Sequence, residues 1–138
     1  MLKIRINSFS FIYGGLPKDN SGHGGGHIFD CRALPNPGRY EQYKQLTGMD
    51  EEVIAYLENE EEVKEFLKHV FALADISVGK YLSRNFDYLS ISFGCTGGQH
   101  RSVYAAEQLS QYIAENYEDV IIELRHIARE EAAKNQSK

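Results

Sequence analysis

Cys95, His100, Arg101 and Ser102 fall inside the stretch FGCTGGQHRS (93–102), with Gly97 and Gly98 between them. These residue types at this spacing suit two kinds of chemistry. A thiol at a helix amino terminus beside His100 and Arg101 has its pKa lowered, and a thiolate is a good nucleophile toward phosphorus. The same loop could hold a phosphate and leave it intact. Glycines let backbone amides turn toward an anion, a following helix adds its positive end, and Arg101 could fork onto two oxygens while Thr96 or Ser102 donates a third bond. Gln99 lies between the glycines and the basic pair.

The elements around this stretch decide whether it forms a site. Residues 2–11 alternate apolar and polar with a period of two, which predicts a strand with one buried face. The glycine-rich run GGLPKDNSGHGGGH (14–27) excludes helix and strand. HIFDCRAL reads as a second strand closed by Pro35 and Pro37. Asp50 is the expected N-cap of a helix with Val53, Ile54 and Leu57 on its apolar face. A longer helix follows, with Val63, Phe66, Leu67, Val70, Phe71 and Ala74 at three- and four-residue steps, and His69 in a structural role. FDYLSISFG (86–94) is a third strand, residues 100–117 a helix, DVIIELRH a fourth strand, and the tail a short helix. Strand, loop, helix and strand make a βαβ unit. The fold class expected is therefore α/β, a largely parallel four-stranded sheet with flanking helices, in one domain spanning 1–138. Ligands of such sheets bind outside the carboxyl ends of the strands, which is where 94–102 falls.

Composition narrows the function classes. The chain has 138 residues, a mass of 15.7 kDa, a formal net charge of −5 and a pI near 5.5, so binding of polyanions by general electrostatics is disfavoured and an anion site must be local. No run is apolar enough for a membrane span and the amino terminus has no signal-peptide block, so a cytoplasmic protein without a membrane partner is expected. Cys31 and Cys95 form no disulfide framework and are expected to be reduced, a disulfide being the alternative. A nucleotide loop of the GxxxxGK[ST] type is absent, so NTP hydrolysis is not expected. His23 and His27 flank three glycines that forbid the helix needed to face two imidazoles together, so no metal site and no cofactor is implied. That loop could close over a ligand as a lid. Asn36, between two prolines, is either a recognition amide or a turn residue.

CTGGQHRS fits the C-x-x-G-x-x-R-[ST] arrangement of cysteine phosphatases. Those enzymes carry His before the Cys, where this chain has Gly94, and they need a general acid that none of Asp19, Asp30 and Asp50 announces. Three motifs in order, FDCRALPNP, LTGMDEEVIAYL and FGCTGGQHRSVYAAEQL, together with SFSFIYG and ELRHIAREE, resemble the carboxy-terminal domain of the RapZ family of bacterial RNase-adaptor proteins across nearly the whole chain. The resemblance implies a sugar-phosphate-binding fold that senses glucosamine-6-phosphate, contributes to RNA binding and self-associates, here as a stand-alone domain without the family's nucleotide-binding part. It assigns Cys95, Thr96, Gly97, Gly98, His100, Arg101 and Ser102 to a phosphate-gripping loop, Arg32 to the FDxRxLPNP motif, and Arg125 and His126 to a late basic pair. Tyr13 stands where some members have histidine, the 18–27 loop is longer, and Glu130 and Glu131 replace a basic tail, which weakens the case for RNA. The expected partner is a phosphorylated small molecule bound without turnover, with a homo-oligomer also open. A cysteine-dependent phosphatase is the alternative.

Overall fold

The computed structural model describes residues 1–136. Four strands, β1 (Leu2–Ser10), β2 (His27–Asp30), β3 (Tyr88–Cys95) and β4 (Val120–His126), form one sheet in the order β2-β3-β1-β4. Every pairing is parallel, so the sheet is wholly rather than largely so. Four helices accompany it: α1 (Glu51–Glu58), α2 (Glu61–Ser83), α3 (Arg101–Asn116) and α4 (Ile127–Gln136).

The alternation in β1 sends Leu2, Ile4 and Ile6 to the same face as Leu89, Ile91 and Phe93 of β3, with Ile4 level with Leu89 and Ile6 level with Ile91. Against this face pack Val53 and Leu57 of α1, Val63, Leu67, Val70, Ala74 and Val78 of α2, and Ala105, Ala106, Leu109 and Ile113 of α3. Each fully buried Val, Leu, Ile or Phe among these contributes roughly 1.5–3 kcal/mol of transfer free energy, which fixes which strand face is the core.

Two details differ from the periodicity reading. The second strand ends at Asp30 instead of running to Leu34: after a last inter-strand bond from Cys31 N to Gly94 O, Leu34 N turns back onto Cys31 O and closes a turn. Asp50 precedes α1 but its side chain does not cap it. Its Oδ2 instead accepts from the Thr47 amide at 2.7 Å, closing the turn before the helix.

Handedness explains the layering. The β2-to-β3 and β3-to-β4 connections step the same way across the sheet, so right-handed crossovers lay α1, α2 and α3 on one face. The β1-to-β2 connection steps the opposite way, so it crosses the other face. That connection is the glycine-rich loop, not a helix. A parallel sheet normally has both faces covered and apolar. Here the loop face carries level rows of polar residues, Glu123–Arg5–Ser90 and Arg125–Asn7–Ser92, with Ile28 at the end of the second.

Candidate functional site

Because connections leave β1 and β3 toward opposite faces, the crevice between their carboxyl ends is the topological switch point of the sheet, where ligands of open α/β sheets bind. Ser10 and Cys95 lie side by side there. Ser10 Oγ ties the two outgoing loops together: it donates to Thr96 O at 2.6 Å and accepts from the amides of Ile12 and Tyr13 at 3.2 and 2.8 Å.

From this point the chain runs through residues 96–100 into α3. Gly98 has φ +73, and a Cβ there would come within 2.5 Å of Ala128 Cβ, so only glycine makes this turn beneath α4. A left-handed residue among right-handed ones turns successive amides to the same side. Among the described residues, the backbone amides of 96–103 donate to no protein group, whereas the next amide, Tyr104 N, is satisfied by His100 O at 2.9 Å. The turn is held from outside by Gly48 N donating to Gln99 O at 2.8 Å and by Arg129 Nη1 donating to Gln99 Oε1 at 2.9 Å. Eight consecutive free donors at the positive end of a sixteen-residue helix give the loop the electrostatics of an anion cradle.

Arg101 is only 5% exposed. Its Nη1 donates to Arg32 O and Leu34 O at 2.7 and 3.0 Å, bracing the turn after β2. Its Nε is buried without a partner, and among the described residues no carboxylate forms an ion pair with the guanidinium. Asp30 lies within electrostatic reach, but Arg32 already claims its carboxylate with a 2.7 Å ion pair that holds the acid below the usual carboxylate range. The Arg32 guanidinium in turn sits 3.9 Å above the Phe11 ring, exposed at the same sheet edge.

The other expected residues divide between separate places. Asn36 Oδ1 accepts from Gly38 N at 2.9 Å, capping a short 3-10 turn at Pro37–Arg39, so its turn role is realised. His100 Nε2 donates to Tyr43 O at 2.8 Å, since a carbonyl only accepts, and this leaves Nδ1 as the ring acceptor in the neutral form. Ser102 Oγ lies 3.1 Å from Cys95 Sγ, and both are buried. The Cys31 thiol, fully buried one strand away, is pushed well up by burial and by the neighbouring Cys95. His126 is on the helix face: Nε2 donates to Glu107 Oε1 at 2.9 Å and Nδ1 shares a hydrogen bond with Ser8 Oγ at 2.6 Å. Tyr13, Gly97, Gln99 and Arg125 instead line a cavity on the loop face. His23 and His27 diverge, His23 stacking on Tyr88 and His27 bonding Ser77 Oγ at 2.8 Å.

That cavity measures about 870 Å³ and lies between the sheet and residues 13–26. No motif points to its floor residues Arg5, Asn7, Ser90 and Ser92. The signal for them is polar alternation inside strands of a parallel sheet, where both faces are usually apolar. Gly94 explains a motif departure: a Cβ there would lie 2.5 Å from both Phe9 Cζ and Phe11 Cε2, so no histidine fits before Cys95. Among the described residues no cluster of three His, Cys, Asp or Glu could hold a metal, and no helix is long and apolar enough to cross a membrane.

Residues 2–128 match the family model of the RapZ C-terminal domain. The chain is 41% identical over 125 residues to a "Nucleotide-binding protein" of Thermosipho melanesiensis, covering 91% of this chain and 42% of the relative. It is 40% identical over 112 residues to one of Glaesserella parasuis, covering 81% and 37%. A third, from Pasteurella multocida, is 37% identical over 135 residues, covering 98% and 45%. The chain thus spans less than half the length of the curated relatives it matches.

Proposed function

The chain belongs to the family of the RapZ C-terminal domain, and from that premise we propose that it binds a phosphorylated small molecule, with the phosphate on the amides of residues 96–103. The observation that carries this reading is Arg101: a residue 5% exposed, with an unpartnered buried Nε and no ion pair, in a segment whose eight consecutive amides have no protein acceptor. A buried charge without a counterion is costly, and an anion in the cradle would offset it. Charge-assisted bonds from amides and a helix end suit a phosphate dianion.

An amino-sugar phosphate such as glucosamine-6-phosphate fits further. That finer assignment is supported by the motifs FDCRALPNP and CTGGQHRS, which this chain carries in the family's order. The relatives are named for nucleotide binding, and the GxxxxGK[ST] signature of that chemistry is not in this sequence, so a nucleotide role is not proposed for these residues. Hydrolysis finds less support than holding: Cys95 is 3% exposed, its sulfur faces Ser102, and the position before it accepts only glycine.

The test is a thermal-shift series with inorganic phosphate, glucosamine-6-phosphate, glucose-6-phosphate and glucosamine. Phosphorylated ligands raise Tm by several degrees and glucosamine alone does not, since a ligand at a hundred times Kd stabilises by about 2.7 kcal/mol. Gly97 is exposed, with nothing within 4 Å of where a Cβ would stand, so Gly97→Asp folds normally and places a carboxylate beside the cradle. It abolishes the shift while Gly97→Ala keeps it. Equal shifts in wild type and Gly97→Asp, or none with any phosphate at millimolar concentration, would reject the reading.

A further inference from the structure

Both cysteines of the chain come to one place in the fold, as free buried thiols, and holding a phosphate on backbone amides uses neither sulfur. Strand register brings them together. Residues of β2 pair with β3 at a constant offset, His27 with Ile91, Phe29 with Phe93 and Asp30 with Gly94. The bond from Cys31 N to Gly94 O at 2.7 Å carries that offset one step further and sets Cys31 level with Cys95.

The two side chains also share a face. Phe29 and Phe93 stack with ring centroids 5.5 Å apart, and Phe29 meets Phe66 of α2 edge to face, so both rings lie on the helix side of the sheet. The pleat returns the residues two positions on, Cys31 and Cys95, to that same side, where both join the core cluster. Neighbouring strands run about 4.7–4.9 Å apart, inside the roughly 4.4–6.8 Å between Cα atoms that a disulfide spans. The Cβ atoms must close to about 3.5–4.5 Å, and the position permits it, because each cysteine ends its ladder and is followed by a turn. Cys95 is anchored from β1 by Phe11 N donating to its carbonyl at 3.0 Å, so the movement falls on Cys31.

The pair is unequal. Cys31 is fully buried, and burial first and the neighbouring Cys95 second push its thiol well up, which makes it the poorer initial nucleophile. Cys95 is 3% exposed at the head of the loop, with Ser102 Oγ 3.1 Å from its sulfur. That hydroxyl is able to donate to the sulfur or to an oxygen placed on it. Among the described residues no His, Asp or Glu completes a group of three with the two sulfurs, so their chemistry is that of a dithiol and not of a metal site.

We propose that Cys31 and Cys95 are a redox pair, which a hydroperoxide converts to an intrachain disulfide that weakens anion binding at residues 96–103. The Cys95 sulfur attacks the O–O bond and becomes a sulfenic acid, releasing water or an alcohol from the peroxide. The Cys31 sulfur then displaces the sulfenic hydroxyl as the S–S bond forms, and its proton leaves with that hydroxyl as water. Two electrons pass from the thiols to the peroxide. The new bond ties the turn at 31–34 to the head of the loop. Arg32 O and Leu34 O in that turn hold Arg101 Nη1 at 2.7 and 3.0 Å, so drawing Cys31 toward β3 displaces the supports of the guanidinium. It also pulls Cys95 off Ser102 on the first turn of α3. The disulfide stands independently of the phosphate reading, and its effect on binding rests on that reading.

Wild type and Cys31→Ala are treated with hydrogen peroxide, then followed by intact mass, non-reducing peptide mapping and isothermal titration with inorganic phosphate. Wild type stays monomeric, loses about 2 Da as the two thiol hydrogens leave, and yields one peptide joining Cys31 to Cys95. Its phosphate affinity falls about fivefold or more, within the range of linked sites, and returns with dithiothreitol. Cys31→Ala binds phosphate as wild type does before treatment and forms no cross-link, and its Cys95 sulfenic acid is captured by dimedone. Cys95 oxidised to sulfinic acid without a cross-link, a disulfide-linked dimer, or thiols that peroxide leaves untouched would overturn the pair. A cross-link that leaves phosphate affinity unchanged refutes the effect on the site while the cradle stands. If the reduced protein binds no phosphate, the cradle reading fails and takes the binding effect with it, and the peptide map still decides the disulfide.

Discussion

Single residues in this protein carry meanings that their motif alone does not. Arg101 sits in the motif position from which the proposed phosphate would be gripped, yet one arm of its fork is spent on the carbonyls of Arg32 and Leu34. It therefore braces the turn after β2 as well as supplying charge, and losing it would loosen both. Gly94 is set by volume, because the Phe9 and Phe11 rings, 4.8 Å apart and edge to face, occupy the space a side chain would need. Gly94→Ala is expected to destabilise by about 2–3 kcal/mol, as overpacking of a rigid site does, read as a lowered urea midpoint with unchanged m-value. A variant as stable as wild type would show that the two rings yield more readily than their packing indicates.

Among the elements, α3 is the one on which the proposed site depends, since its first turn carries amides without protein acceptors and its body covers the sheet. Tyr104 on its first turn is 4% exposed, and burial with Glu58 nearby pushes its hydroxyl up to about 12. The folded state thus favours the neutral phenol, while the unfolded chain ionises near the ordinary value of about 10. The unfolded state therefore binds fewer protons in this window, and stability that is complete below about pH 10 is lost as pH rises toward about 12. Tyr104→Phe, compared with wild type by denaturant unfolding at about pH 8 and about pH 11, should lose on the order of 1 kcal/mol less over that interval. Identical slopes would place the alkaline sensitivity on other tyrosines, Tyr112 and Tyr117 on Asp75 among them. The elements themselves are readable from the chain: the period-two run of β1, the three-and-four spacing of α2 and the glycine turn before α3 are local signals. The end of β2 at Asp30 is not, because the turn at 31–34 that closes it is braced by Arg101 of a distant element.

Across the whole molecule, topology separates a packed face from a loop-covered one. The loop residues Asn20, Gly22, His23 and Gly24 are exposed and contribute little to the core, so replacing residues 20–25 with two glycines should leave stability within about 1 kcal/mol of wild type. Unfolding on shortening would mean that the loop is a structural cover for the sheet. The α/β class, the parallel βαβ unit, the glycine turn at the amino end of α3 and the family motifs are all written in the chain, because helix and strand periodicity and turn chemistry act between near neighbours. That Arg5, Asn7, Ser90 and Ser92 share one face, that Tyr13, Gly97, Gln99 and Arg125 meet there, and that His126 turns away to Glu107 emerge only on folding. Those outcomes depend on strand register and crossover handedness, which join residues more than eighty positions apart and leave no trace within any one segment.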